Sequence, residues 1–265
     1  MTLISGYDGN YYASTLTENH NWPQLSGVVE ADVCVVGGGL AGVNTLLGLQ
    51  ERGKKAVLLE AGRIGWGASG RNAGFVAKGY AAGEATLLDK CGLEKAKSLV
   101  NLTKNARKLI RQRIIDEQID CEPVIDGVLT VSWRDNPGKL VDAINRANDY
   151  FGLGFEFWSR EQVREHCRTT KYYDGIYSPH DFQMNPLKYL RGLAHAAERK
   201  GGQIFEQSAV ISKERIGTEW HIKTAAGVVK AKDVVLSTAI YGEPLDQRLA
   251  YSAIPVQTYI MVTEP

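Results

Sequence analysis

The chain has 265 residues, 44% hydrophobic and 23% charged, with a net charge of +1, enough for one large domain or two intertwined ones. The scattered basic residues give no reason to expect nucleic acid or an anionic membrane as a partner. Cys34, Cys91, Cys121 and Cys167 stand far apart without metal-type spacing and read as reduced, mostly buried thiols. With no secretory start and no apolar run of ~18 residues, a cytoplasmic protein is expected.

In chain order, residues 33–36 (VCVV) form a continuously apolar run, the pattern of a strand buried on both faces of a parallel sheet. Leu40, Val43, Leu46 and Leu47 then repeat at helical spacing, Gly53 stands where a C-terminal cap belongs, and residues 56–59 make a second strand ending at Glu60. Gly37, Gly39 and Gly42 occupy this strand–helix junction in G-x-G-x-x-G spacing. Gly37 allows the tight turn, Gly39 lets a pyrophosphate approach the helix N-terminus, and Gly42 lets helix and strand pack closely. Gly38, Leu40 and Ala41 complete the phosphate-facing turn. Glu60, with Ala61 beside it, stands where a carboxylate accepts hydrogen bonds from adenosine ribose hydroxyls. The pattern predicts dinucleotide binding, and NAD and FAD both fit it.

The next stretch separates them. Residues 64–74, IGWGASGRNAG, hold four glycines, too many for a helix and poor for a strand. Directly after Glu60 they read as a second phosphate loop of exposed backbone N–H groups, with Ser69 and Arg71 as side-chain donors. With these residues the sequence resembles the D-amino-acid oxidase-like FAD oxidoreductases. YYAST (11–15), RIGWGASGRNAG (63–74) and MNPLKYLRGLA (184–194) are most similar to that family's bacterial gamma-glutamylputrescine oxidoreductase branch.

Further along, Leu93, Ala96, Leu99, Leu102, Ala106, Leu109 and Ile110 predict a long amphipathic helix over 93–115. VIDGVLTVSW (124–133) predicts a hairpin turned at Asp126-Gly127, followed by a helix over 137–150. Ser159 and Gln162 form a capping box for a short helix ending near Cys167. Residues 175–178 read as a strand, 178–186 (SPHDFQMNP) as a polar loop, and Asn185-Pro186 as cap and first residue of a helix ended by Gly201. A strand over 204–206, another through Val210, a hairpin at Ala226-Gly227 and a buried run at 234–236 that returns to the central sheet complete the elements. The five histidines show no metal spacing, so no metal is expected.

The predicted fold class is α/β: a Rossmann-like FAD-binding domain split by an α+β substrate-domain insertion. Its expected parts are residues 1–90 and 171–245, with 91–170 inserted and 246–265 starting a returning substrate-domain strand. The resemblance implies FAD, which several members of that family attach covalently through histidine or cysteine; 64–75 contains neither, so a link from that loop is excluded while one from elsewhere is not, and noncovalent FAD is expected. It also implies backbone contact from Val210 to the adenine edge, Ser237 and Thr238 near the cofactor, and Asn72 and Ala73 approaching the flavin ring. The chemistry it implies is oxidation of an amine or amino acid, such as a gamma-glutamyl amine. Hydride passes to flavin, the imine hydrolyses, and oxygen or another acceptor reoxidises the flavin. The expected partners are a small-molecule amine and a C-terminal continuation or partner subunit. Because the chain resembles only the N-terminal portion of such an oxidase, no catalytic residue is named. The alternative is a truncated or noncatalytic nucleotide-binding chain that needs its missing C-terminal half.

Overall fold

A computed structural model describes residues 6–122, 124–242, 245–252, 254 and 256–262. The elements run β1 (Gly27–Val36), α1 (Leu40–Gln50), β2 (Ala56–Leu59), β3 (Phe75–Val76), α2 (Gly83–Cys91), α3 (Leu93–Asp116), β4 (Ile125–Val131), α4 (Pro137–Phe151), β5 (Glu156–Trp158) and α5 (Arg160–Cys167). After them come β6 (Gly175–Gln183), α6 (Pro186–Arg199), β7 (Gln203–Phe205), β8 (Ser212–Ile216), β9 (Glu219–Lys223), β10 (Gly227–Leu236) and α7 (Gln247–Ser252). They fall into two compact units: Met1–Ala73, Glu117–Cys121 and Asn185–Pro265 make the first, Gly74–Asp116 and Glu122–Met184 the second. Among the described residues no helix is long and apolar enough to cross a membrane.

The first unit is built on a six-stranded sheet in the order β7-β2-β1-β10-β9-β8. β7, β2, β1 and β10 run parallel, while β9 and β8 add an antiparallel edge. β2 contributes only four residues, all buried, as a parallel strand covered on both faces must. Alternation sorts the strands: Cys34, Val36, Val57 and Leu59 join Leu25, Ile222 and Val229 in one cluster. α1 packs against α6, which buries Leu187, Leu190 and Leu193 completely, each worth about 1.5–3 kcal/mol. The Asn185 side chain caps α6 by accepting from Lys188 N at 3.1 Å, with Pro186 at the first helical position, an arrangement worth about 1 kcal/mol.

The second unit carries an antiparallel sheet centred on β6, which β3, β4 and β5 all pair. A small core of Ala96, Val100, Phe151 and Leu153 joins α3, α4 and the residues after α4. α3 buries only Ala96 and Val100; Leu102 and Leu109 are exposed, so the predicted apolar stripe is covered at one end. The Ser159–Gln162 capping box is present as read.

Several expectations are corrected. Asp126-Gly127 is not a hairpin turn. β4 continues through it with a register shift between Asp126 and Val128, because its partner is β6 and not the few residues before it. Gly127 has φ of +85°, and a Cβ there would lie 2.0 Å from the Tyr177 hydroxyl. β6 extends to Gln183, so His180 lies on a strand and not in a loop. No strand passes through Val210. β7 and β8 lie at opposite edges of the sheet, so the chain between them is a connection. The β9–β10 hairpin is where predicted, closed by Thr224 N donating to Gly227 O at 2.9 Å. Residues 254 and 256–262 form no strand and have no pairing neighbour among the described residues; residues 253, 255 and 263–265 lie outside them. Cys34 and Cys121 are buried, Cys167 is exposed, and none of the four cysteines forms a disulfide. Burial pushes the Cys34 thiol up to about 12.

Candidate cofactor-binding site

β1 lies between β2 and β10 in an open sheet, so the chain leaves its carboxyl end at the point where strand order reverses, the position where α/β sheets bind ligands. The predicted glycines occupy this end. Gly37 has φ of +110°, a left-handed turn that L side chains rarely adopt, and a Cβ there would lie 2.6 Å from Ser237 O. Gly42 begins the close approach of α1: a Cβ would lie 1.9 Å from Gly37 O. Among the described residues only the Ser69 side chain comes near a Cβ at Gly39, its hydroxyl at 2.9 Å, so that residue keeps the approach to the helix open. The first-turn N–H groups of α1, from Ala41 and Gly42, lack intrahelical acceptors, as at any helix start, and the helix dipole favours an anion there.

The second glycine loop folds onto the first turn. Gly65 N donates to Gly38 O at 3.0 Å, and Leu40 N donates to Ser69 Oγ at 3.1 Å, so Ser69 caps α1 from 29 residues along the chain. Glu60 locks the same corner, its carboxylate accepting from Gly38 N at 2.6 Å and Gly62 N at 2.8 Å. Burial raises the Glu60 carboxyl above its ordinary value, while the N–H groups of Gly62, Gly38 and Ala61 pull the other way. A carboxylate offers about four lone-pair positions, so Glu60 retains acceptor capacity for ribose hydroxyls. On the other side, Ser237 N donates to Val36 O at 2.8 Å, extending β10 beside the turn. The next residue, Thr238, holds its Oγ1 buried with no hydrogen-bond partner among the described residues. Such a hydroxyl costs about 1–3 kcal/mol while unsatisfied, as expected of a group awaiting a polar ligand.

The other predicted residues are placed differently. Arg71 donates to Trp66 O at 2.7 Å and to Asp8 O at 3.2 Å, with its guanidinium over the Trp66 ring, so part of its donor set braces the loop. Asn72 donates to Ala68 O and Ser69 O, and Ala73 ends the first segment of its unit in the same loop. Val210 packs its side chain on the cluster around Leu25 and Val229.

The structure adds a buried polar network that sequence reading missed. Glu206, 1% exposed, accepts from Ile64 N at 2.7 Å and pairs with Arg63 at 2.8 Å. Arg191, 2% exposed, donates to Tyr7 Oη at 2.8 Å, to His20 O at 2.7 Å and to Glu18, while Tyr7 donates to Ile64 O at 2.7 Å. The network anchors the backbone of the second glycine loop. Its signal was an arginine between Leu187, Leu190 and Ala194 on the apolar face of α6. Sequence spacing also pointed to no metal ligands, yet the fold brings His20, His195 and Glu198 together.

Comparison with known proteins agrees with this geometry. The family described as FAD dependent oxidoreductase matches residues 32–265. A probable oxidoreductase OrdL of Haemophilus influenzae is 30% identical over 97% of this chain, and gamma-glutamylputrescine oxidoreductase of Escherichia coli 29% over 98%; the chain spans 61% of the length of each. Among solved structures, glycine oxidase from Bacillus cereus superposes with a TM-score of 0.62 at 21% identity, over 83% of this chain and 58% of that one. L-proline dehydrogenase from P. horikoshii does so with a TM-score of 0.66 at 18% identity, over 87% of this chain and 58% of that one. FAD is therefore the dinucleotide that the turn, the Glu60 corner and the orphaned Thr238 hydroxyl fit, and the chain belongs to the FAD dependent oxidoreductase family.

Proposed function

We propose that this chain holds FAD noncovalently across its two glycine loops and that the protein it represents oxidises an amine or amino acid. The observation that carries the reading is the meeting of both loops at the carboxyl end of β1, with Thr238 Oγ1 left unpaired beside them. In this reading the α1 N-terminus and Gly39 take the pyrophosphate, Glu60 takes the ribose hydroxyls, and Ser237 and Thr238 line the edge formed by β10. Val210 lies along the adenine edge, and Ala61, Arg71, Asn72 and Ala73 complete the loop side. The first unit is the FAD domain and the second belongs to the substrate domain.

Bound FAD would supply a hydride acceptor for the C–H bond next to the substrate nitrogen. The protein's part is positioning and keeping water from the reacting atoms, effects worth several kcal/mol. Similarity to gamma-glutamylputrescine oxidoreductase supports a gamma-glutamyl amine as substrate. Anaerobic addition of amines and amino acids to the FAD-loaded protein tests this, with bleaching of the flavin absorbance expected. FAD that stays bound and oxidised with every amine would remove the amine reading.

A second reading concerns completeness. Tyr251, Ile254, Val256, Tyr259 and Met261 are 80–91% exposed, an apolar run that water disfavours. That exposure supports a form in which further polypeptide, in cis or from a partner subunit, covers the segment and completes the substrate site.

A further inference from the structure

We propose that His20, His195 and Glu198 form a site for a divalent transition-metal ion of the zinc class, clipping the N-terminal segment to α6. One ligand atom from each of the three residues lies within 4.8 Å of the other two. The Glu198 carboxylate is 3.6 Å from His195 Nδ1 and 4.0 Å from His20 Nε2. Ligands at about 2.0–2.2 Å from a tetrahedral ion stand roughly 3.4 Å apart, so closing on an ion takes side-chain movements of roughly 1 Å or less. Two imidazoles and one carboxylate are a donor set that suits zinc-class ions and leaves a fourth position for water.

Four further observations fit a metal site better than a chance surface cluster. His195 and Glu198 are one turn apart on α6, so the helix holds two ligands at fixed spacing, and the third arrives from a segment 175 residues away in sequence. The outer nitrogen of His195, Nε2, lies 4.0 Å from Glu18. Glu18 is itself held by Arg191, so a fixed carboxylate stands behind His195, beyond hydrogen-bond reach at that distance but close enough to attract a metal-bound imidazole. The His20 and His195 rings pack edge to face at 4.9 Å, and each also packs on Trp22, which restricts their rotation. A cavity of about 420 Å³ lined by Glu18, His195 and Glu198 gives an ion its way in.

The consequence reaches the glycine loop. Arg191 joins the His20 carbonyl to Tyr7, and Tyr7 donates to Ile64 O, so an ion that fixes His20 also fixes this support of residues 64–74.

Equilibrium dialysis of the intact protein against zinc chloride, with elemental analysis of the retained metal, tests the site alongside His20→Ala and Glu198→Gln. Both residues have side chains 42% exposed, so neither change empties a buried position, and Glu198→Gln also leaves the ring packing of His20 on Trp22 in place. The wild type is expected to retain one zinc equivalent more than either variant. Zinc should raise its unfolding midpoint and leave those of the variants unmoved, and magnesium chloride should do nothing. Equal zinc retention and equal midpoint shifts in all three proteins, or an equal response to magnesium, would overturn the proposal.

Discussion

Replacing Gly42 with alanine sets two effects on α1 against each other. Alanine in place of a helical glycine stabilises by about 0.5–1 kcal/mol. At Gly42, however, the new Cβ would sit 1.9 Å from Gly37 O, 3.1 Å from Gly37 C and 3.4 Å from the Ser237 Cβ. These are backbone atoms and a short side chain that cannot swing away, so the helix must move outward by about 1 Å. Overpacking of that severity costs about 3 kcal/mol, the upper end of its usual range, leaving a net loss of about 2 kcal/mol. At about 2–4 °C per kcal/mol for a domain of this size, the melting midpoint should fall by about 4–8 °C. Gly48→Ala in the same helix is the internal control. Its Cβ would meet only the Arg52 guanidinium tip at 3.3 Å, which can move, so the midpoint should rise by about 1–4 °C. Differential scanning calorimetry of the two variants reads both signs. A Gly42→Ala protein as stable as wild type, or two shifts in the same direction, would refute the claim that close packing against the Gly37 turn requires glycine.

Two other predictions concern charge. In the second unit Lys78 and Asp181 are buried, 3.2 Å apart, with Arg107 also on Asp181. Burial alone would raise the Asp181 carboxyl, but hydrogen bonds from Arg107 and Ser178 and the charge of Lys78 outweigh it and hold it below the usual range. A depressed carboxyl contributes stability above its unfolded value, about pH 3.9, that is lost as pH falls through the folded value. Asp181→Asn should therefore cost about 3–5 kcal/mol at neutral pH, from stranding the buried lysine, and lessen the acid sensitivity; urea titrations at several pH values check both. Glu60→Gln should weaken FAD binding by about tenfold or more through loss of a charged acceptor. Because burial raises the Glu60 carboxyl, wild-type affinity should fall as pH drops through that raised value, while the Glu60→Gln variant, lacking the titrating group, stays flat. Flavin fluorescence titrations with parallel pH profiles would argue against the role given to Glu60.

The nucleotide corner was legible because its signals are local. Strand, glycine turn, helix, strand and acid all fall within residues 33–60, and each glycine's task follows from backbone sterics alone. Ser69 was legible as part of a glycine loop, though its cap on Leu40 depends on the loop folding back. Long-range partners left no such trace. Asp126-Gly127 reads as a turn until β6 is known to supply the pairing edge, and Val210 reads as strand until β7 and β8 are seen at opposite edges. Arg191 stands out only by its place on the apolar face of α6, and its partners Glu18, Tyr7 and the His20 carbonyl converge on it from the distant N-terminal segment. His20 and His195 meet only through that same packing, so spacing along the chain could not pair them.

The central claim is that FAD binds across the Gly37–Gly42 turn, and the most direct test is the visible spectrum of the protein after incubation with FAD and gel filtration, compared with that of Gly39→Val. Among the described residues a Cβ at Gly39 meets only the Ser69 side chain, so valine leaves β1 and its pairing intact while filling the pyrophosphate approach. The account predicts about one flavin per wild-type chain, released into solution on denaturation, and none retained by the variant. Equal flavin in both proteins, or none in the wild type, would contradict it.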